Sequence, residues 1–492
     1  MKKYFAIVMV LILGLACVAC KKKDNIIEYS KDLSNYEINL DFDTDTKSAQ
    51  ASLSLDYINS SDDMLHELKF HLYPQFFKED ASHLVVSSTK LNDAYPNGMS
   101  YSEFDINRVF VENEDKEIQY QGEYNDILVV DLNNHLLPDN RINIFIEFSF
   151  SLPNCEHRFG YGNNTINLAN FYPIMCVYEN GGFDESGYNP NGDPFYSDMA
   201  NYELTINLNN SNYIVAGTGE KMDVKLVDGK YQTKFSAKLV RDFALVLSDK
   251  FEVISGKVGN TKVEYYYFLD DDAKKSLQAG LDAIETFSDL FGDYPYSTFS
   301  IVKTDFIYGG MEYPNLIMIS ADIENIDDYM NVIIHETAHQ WWYGMVGNDE
   351  YKYPWLDEAL TEYSCLLFYD NNSGYNLTHS EMLSASKENY SLFVTVYQDV
   401  LGDLDISMRA VDEYDTEPEY TYCTYVKGVL MYESLYQLIG EKDFISGLKN
   451  YFNDNKYTNT IPADIITSFE KACGNELDNF FSSWIDGKVV IR

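Results

Sequence analysis

Near residue 250 the period of the hydrophobic pattern changes, and that change constrains the fold more than any other feature of the chain. From about Tyr36 to Phe268 apolar residues alternate with polar ones or form short runs: YEINLDFD, ASLSLDYIN, LKFHLYP, INIFIEFSF, YELTINL, FALVLS and VEYYYF, separated by Asn, Gly and Pro turns. A period of two sends successive side chains to opposite faces of a strand, so these segments predict a large all-β domain. After Asp270–Asp272, where an aspartate can cap a helix, Leu277, Leu281, Ile284 and Leu290 fall at helical spacing. Helices then dominate to the C-terminus, interrupted by strand-like FSIVKTDF at 299–306 and NLIMIS at 315–320. The expected class is multidomain α+β, with a β domain at 36–250 and a mainly helical domain at 251–492. No repeat or low-complexity linker separates them, so direct packing of one on the other is expected.

The length of 492 residues exceeds one ordinary core. A composition of 45% hydrophobic and 23% charged residues is that of a folded protein. With 36 basic against 78 acidic residues the net charge is −42, which argues against nucleic acid or anionic lipid as a partner surface. The first twenty residues, MKKYFAIVMVLILGLACVAC, carry Lys2 and Lys3, an apolar run from Tyr4 to Leu15, then small residues and cysteine. That order predicts a secretory signal at 1–20, too short for a standard membrane span, followed by a tether at 21–35. Cys20, after Ala19 and before Lys21, Lys22 and Lys23, resembles the acceptor of a bacterial lipoprotein signal, which implies a lipid on that cysteine. Cys17 is the alternative acceptor, and an uncleaved N-terminal anchor is the alternative to cleavage. Each reading places the bulk of the chain outside the cytoplasm, held at a membrane, on the cell surface or in the periplasm. Cys155, Cys176, Cys365, Cys423 and Cys473 show no C-x-x-C pair, so neither a disulfide framework nor a thiolate metal site is expected.

The chemistry is concentrated in IIHETAHQWW at 333–342 and LDEALTEY at 356–363. His335 and His339, four apart, share one face of a helix and are close enough to share an ion. Glu336 sits beside them, placed to reach a water at that ion. Asp327 or Asp328 can cap this helix, Met330, Ile333 and Ala338 continue its apolar stripe, and Gly347 can end it. A catalytic zinc needs a third protein ligand. Glu358 and Glu362 share a face of the helix after Pro354, and a two-helix hairpin brings Glu358 back to the histidines. Glu362, one turn further, is expected behind the ligands or at the surface.

H-E-x-x-H followed by this glutamate, in the setting HETAHQWW…WLDEALTEY, resembles the zinc aminopeptidases of peptidase family M1, which include aminopeptidase N and the leukotriene hydrolase. YGGMEYP at 308–314 is similar to the family's G-x-M-E-N strand, and YVKG at 425–428 to its Y-E-K-G helix start. NFYPIMCVYE at 170–179 and VRDFALVLS at 240–248 resemble its N-terminal saddle domain. The resemblance implies a saddle-like β domain before a thermolysin-like zinc peptidase domain, with one Zn²⁺ on His335, His339 and Glu358. It implies Glu336 as general base, Tyr425 as donor to the oxyanion, and Glu312 as the group that binds the substrate's free α-ammonium. Gly309, Gly310 and Met311 would carry the peptide backbone, and Asn167 or Asn170 would add a polar partner for the amine from the β domain.

Tyr313 stands where the family usually has asparagine, and Ala359 where glycine is common. NFFSSWIDG at 479–487 resembles the close of the catalytic domain, so the helical C-terminal domain of larger members is not expected and the site would be more open. The expected function is removal of N-terminal residues from peptides with a free amine, by a monomer that binds no nucleic acid. The alternatives are a non-catalytic peptide-binding surface lipoprotein, a zinc endopeptidase and an epoxide hydrolase.

Overall fold

The computed structural model describes residues 26–81, 85–402 and 404–491, so the signal segment with Cys17 and Cys20 lies outside the described residues. The alternating segments become strands by burying one face. In Ser34–Asp43, Tyr36, Ile38, Leu40 and Phe42 are buried while Glu37, Asn39 and Asp41 are exposed. Arg141–Ser151 repeats the pattern with Ile144, Ile146, Phe148 and Phe150 inward. These join Ser48–Ile58, Glu103–Val111, Ala200–Leu208, Lys230–Val240 and three short edge strands in a nine-stranded sheet. Ser34–Asp43 runs antiparallel to Ser48–Ile58 and parallel to Ala200–Leu208, in the register Ile38↔Leu204. Residues 26–35, expected as tether, carry the short helix Ile26–Tyr29 and open the first strand. Of two four-stranded sheets, one holds Ile166–Ala169 beside Ala244–Ser248 and the other Leu65–His71 beside Ile127–Leu136. Every residue of Ala244–Ser248 is buried, the physical reason FALVLS reads as an unbroken apolar run.

The second half begins with strands. Glu252–Val258 pairs with Thr261–Tyr267, which runs parallel to Thr298–Thr304. The alternating VEYYYF therefore belongs to the second half. Leu316–Ser320 lies parallel to Thr298–Thr304 and antiparallel to Gly310–Met311, the outer strand of this five-stranded sheet. Helix Ala273–Leu290 joins two of the parallel strands, which a hairpin cannot do. Its expected aspartate cap is absent: Asp272 holds the cap position without a side-chain bond there. Instead Asp270 Oδ1 accepts from Asp272 N at 2.9 Å.

The two parts pack directly, sharing one hydrophobic core. Asp305 accepts from the backbone N–H groups of Asn164 at 2.5 Å and Thr165 at 3.1 Å. Tyr296 OH donates to Leu239 O at 2.5 Å, and Arg241 to Asn459 Oδ1 at 2.7 Å. Cys155, Cys176, Cys365 and Cys423 are buried and free, and Cys473 is free and half-buried. Among the described residues no helix is long and apolar enough to cross a membrane.

Candidate active site

Two helices bring three donors to one point. The histidine helix, Ile326–Ala338, is capped by Asn325, whose side chain accepts from Asp327 N and Asp328 N. The two aspartates offered as caps sit in the first turn, where their charge suits the helix dipole. Ile333, Ile334 and Ala338 are buried, which fixes the helix rotation. The helix ends at His339, not at Gly347. Gly347 lies in strand Val346–Asn348, where a Cβ would stand 2.3 Å from the Arg241 guanidinium.

Buried tryptophans carry the turn that follows. Trp341 Nε1 donates to Gly292 O at 2.8 Å, and Trp342 Nε1 to Ser364 Oγ at 3.0 Å. Ser364 is on the glutamate helix, Glu358–Asn371. Glu358 Oε2 then lies 3.2 Å from His339 Nε2 and 3.4 Å from His335 Nε2, with 3.2 Å between the two nitrogens. His339 Nδ1 faces the Trp342 carbonyl at 2.9 Å and Thr361 Oγ1 at 3.2 Å. A carbonyl partner calls for the proton on Nδ1, which leaves the Nε2 lone pair for the meeting point. Glu362 Oε1 lies 3.3 Å from His335 Nδ1, behind the ring.

Two imidazoles and a carboxylate whose donor atoms lie within 4.8 Å of one another make the donor set of a catalytic zinc site. The local electrostatics favour a cation there. Burial works against a charged His339, yet the Glu358 and Glu312 carboxylates bring its pKa up to about 10. Burial likewise opposes ionised Glu358, but His339 and His335 hold its pKa well below the usual carboxylate range. The residues present fit zinc.

Glu336 is buried beside this point with its Oε2 unpartnered, and burial pushes its pKa up to about 7. A Cβ on Gly310 would stand 2.3 Å from Glu336 Oε1, so the outer strand passes over the carboxylate only as glycine. Gly309 has ordinary room around it, its nearest neighbour being Val332 at 3.7 Å. Met311 is buried in the same strand, and Glu312, just past it, is buried with Oε1 unpartnered. Burial raises the Glu312 pKa well above its ordinary value.

Tyr425 reaches the same point, its hydroxyl donating to Glu358 Oε1 and its ring stacked on His335 with centroids 6.4 Å apart. It sits in the π-helical turn Tyr422–Val426, which leads into helix Lys427–Ile439. Such turns are frequent at functional sites. Gly428 lets this helix lie on the glutamate helix, since a Cβ there would stand 2.1 Å from Ala359 Cβ.

The expected amine partners from the β domain are placed elsewhere. Asn167 Nδ2 donates to His157 O and Asp305 O, and its Oδ1 accepts from Thr304. Asn170 Nδ2 donates to Asp242, and its Oδ1 accepts from Tyr313 OH at 2.7 Å. Tyr313, the departure from the motif, thus occupies Asn170. Neither asparagine lines the cavity of about 290 Å³ that holds the donor set, whereas Asp193 and Arg158 do. Arg158 donates to Asp193 Oδ1 at 2.6 Å, and the Asp193 carboxylate lies within 4.8 Å of those of Glu312 and Glu358. Nothing in the irregular stretch NPNGDPF marks Asp193 beyond a Gly-Asp-Pro turn.

Residues 276–484 match the model of the peptidase family M1 domain. Aminopeptidase N of Lactococcus lactis subsp. lactis is 25% identical over 273 residues, 51% of this chain and 31% of that protein. Aminopeptidase 2 of Candida albicans is 22% identical over 302 residues, 55% of this chain and 30% of that protein. The match thus spans less than a third of the length of these relatives. An M1 zinc metallopeptidase of Deinococcus radiodurans superposes with a TM-score of 0.63 at 15% identity, covering 93% of this chain and 94% of that one. A mutant from the same organism bound to a Tyr-Ser-Ala substrate gives 0.64 at 14% identity, covering 93% and 95%. At that identity the likeness shows a shared fold, an all-β part followed by a mainly helical one. Fold, motif order and the matched segment converge: at residues 276–484 this chain carries a domain of peptidase family M1.

Proposed function

We propose that the protein is a zinc aminopeptidase that removes N-terminal residues from peptides. The observation that carries this reading is the meeting of two unlike carboxylate sets on one cavity. Glu358 converges with two imidazoles, as a metal requires. Glu312 and Asp193 converge with each other beside the outer strand, within 4.8 Å of Glu358, where an ammonium next to the metal position would meet them.

His335, His339 and Glu358 would hold one zinc ion per chain, which would supply Lewis acidity toward the scissile carbonyl. The peptide adds to the open edge of Gly310–Met311 as a further strand. Its α-ammonium meets Glu312 and Asp193, and Arg158 keeps the Asp193 carboxylate turned toward it. Glu336 accepts a proton from the attacking water as the water oxygen bonds to the carbonyl carbon, and passes it to the leaving nitrogen as the C–N bond breaks. Tyr425, whose hydroxyl donates to Glu358 in the structure, turns that hydrogen to the carbonyl oxygen as negative charge builds there.

The N-terminal pattern of Lys2, Lys3, the apolar run and Cys20 supports an enzyme tethered by lipid at a membrane, with its site outside the cytoplasm. The activity is tested with aminoacyl anilides and their N-acetyl counterparts. Cleavage confined to the free amines is expected; equal cleavage of both would overturn the exopeptidase reading in favour of an endopeptidase.

A further inference from the structure

A second cavity, of about 450 Å³, lies between the β part and the strand Thr458–Thr460 of the second half. Its walls include Tyr36, Tyr57, Tyr178, Tyr196, Tyr202 and Tyr457. Three carboxylates, Asp32, Glu179 and Asp198, share the lining, and among its described lining residues there is no lysine, arginine or histidine. Tyrosine alone decides nothing in a chain with 41 of them. Tyr36 and Tyr202, both buried, stack with centroids 4.7 Å apart as ordinary core residues do. Tyr57, Tyr178 and Tyr457 line the space and are only half-buried, Tyr457 also meeting the Tyr29 ring at 5.1 Å and Lys456 Nζ at 5.9 Å.

The carboxylates there are met mainly by neutral donors. Asp198 Oδ1 accepts from Asn459 Nδ2 at 2.9 Å, and Glu179 Oε2 accepts from Tyr196 OH at 3.1 Å. Arg241, the guanidinium behind Asn459, spends its hydrogen bonds on Asn459 Oδ1 and the Ser197 carbonyl. Lys352, outside the lining, pairs with Glu179 Oε1 at 3.8 Å, a longer contact than its bonds to Asp184 and Asp349. Aromatic faces and carboxylates around one half-open space, with Asp32 and Asp198 exposed, form the chemical complement of an organic cation.

We infer that this cavity is a binding site for an organic cation, a guanidinium or ammonium on a short aliphatic arm. The site is separate from the M1 centre, with no lining residue in common.

Calorimetric titration with Nα-acetyl-L-arginine amide tests it, because the blocked amine keeps the probe from Glu312. Nα-acetyl-L-citrulline amide supplies the same shape without charge. The expected result is saturable one-site binding of the arginine probe, about tenfold or more tighter than the citrulline probe. Asp198→Asn should weaken the arginine probe by about tenfold while anilide turnover is unchanged. Glu312→Gln should leave probe binding unaltered. No saturable binding, equal binding of both probes, insensitivity to Asp198→Asn, or loss in Glu312→Gln would each overturn the assignment. The two-probe comparison on the unmutated protein needs no variant to fold.

Discussion

The backbone of Gly310 lies directly over Glu336, so close that a Cβ at 310 would stand 2.3 Å from Oε1 of that buried carboxylate. Gly310→Ala must displace either the outer strand or the carboxylate. We expect kcat/KM to fall about 100-fold, since small misplacements of reacting groups cost that much, with zinc content unchanged. Wild-type turnover in this variant would show that the close approach has no part in catalysis.

Glu336→Gln keeps shape and removes the proton acceptor. Turnover of a free-amine anilide should drop by about 10²–10⁴ while the protein holds its zinc. Retention of most activity would mean that another group moves the proton.

Tyr425→Phe removes one hydroxyl from the turn Tyr422–Val426. The expected loss in kcat is about 10²–10³, with KM and zinc little changed. A rise in KM with normal kcat would instead mark a substrate-binding role.

Asp193→Asn tests the β-domain contribution to amine recognition. KM for free-amine substrates should rise about tenfold, as one charged contact to the ammonium is weakened, and discrimination against N-acetyl substrates should narrow. Unaltered discrimination would leave Glu312 as the sole anionic anchor.

Lys352 ties the halves by reaching Asp184 at 2.5 Å and Asp349 at 2.7 Å. Burial opposes ionised Asp184, but Lys352 and Ser186 outweigh it and bring its pKa below the ordinary value. A carboxylate whose folded pKa is depressed contributes stability above about pH 4 that is lost as pH falls through the folded value. Lys352→Met should therefore cost about 1–3 kcal/mol at pH 7, the lysine being partly exposed. The cost should be smaller at pH 3, as read from chemical unfolding at both pH values. An equal loss at both would assign the effect to packing of the aliphatic stem.

The convergence of His335, His339 and Glu358 was legible because its signal is local: His335, Glu336 and His339 fall within one helical turn, and Glu358 opens the next helix of a hairpin. The strands were legible for the same reason, their period of two being a direct image of one buried face. Asp193 was not, because it is aimed by Arg158 from a loop without periodicity, and no spacing within the chain records that tertiary pairing. Asn170 shows the converse. Its motif resemblance pointed to the amine site, but Tyr313, itself a departure from the motif, takes its side-chain oxygen. The ends of the histidine helix were misplaced because Asn325 competed with two adjacent aspartates as cap, and because Gly347 serves packing against Arg241.

The most direct test of the central claim is a zinc titration of the chelated protein with bound metal and anilide turnover measured on the same samples. Activity lost on chelation, restored in proportion to zinc and complete at one ion per chain is the predicted result, with Glu336→Gln binding the same ion without turnover. Activity that survives chelation, or full zinc occupancy with no cleavage of any free-amine substrate, would contradict it.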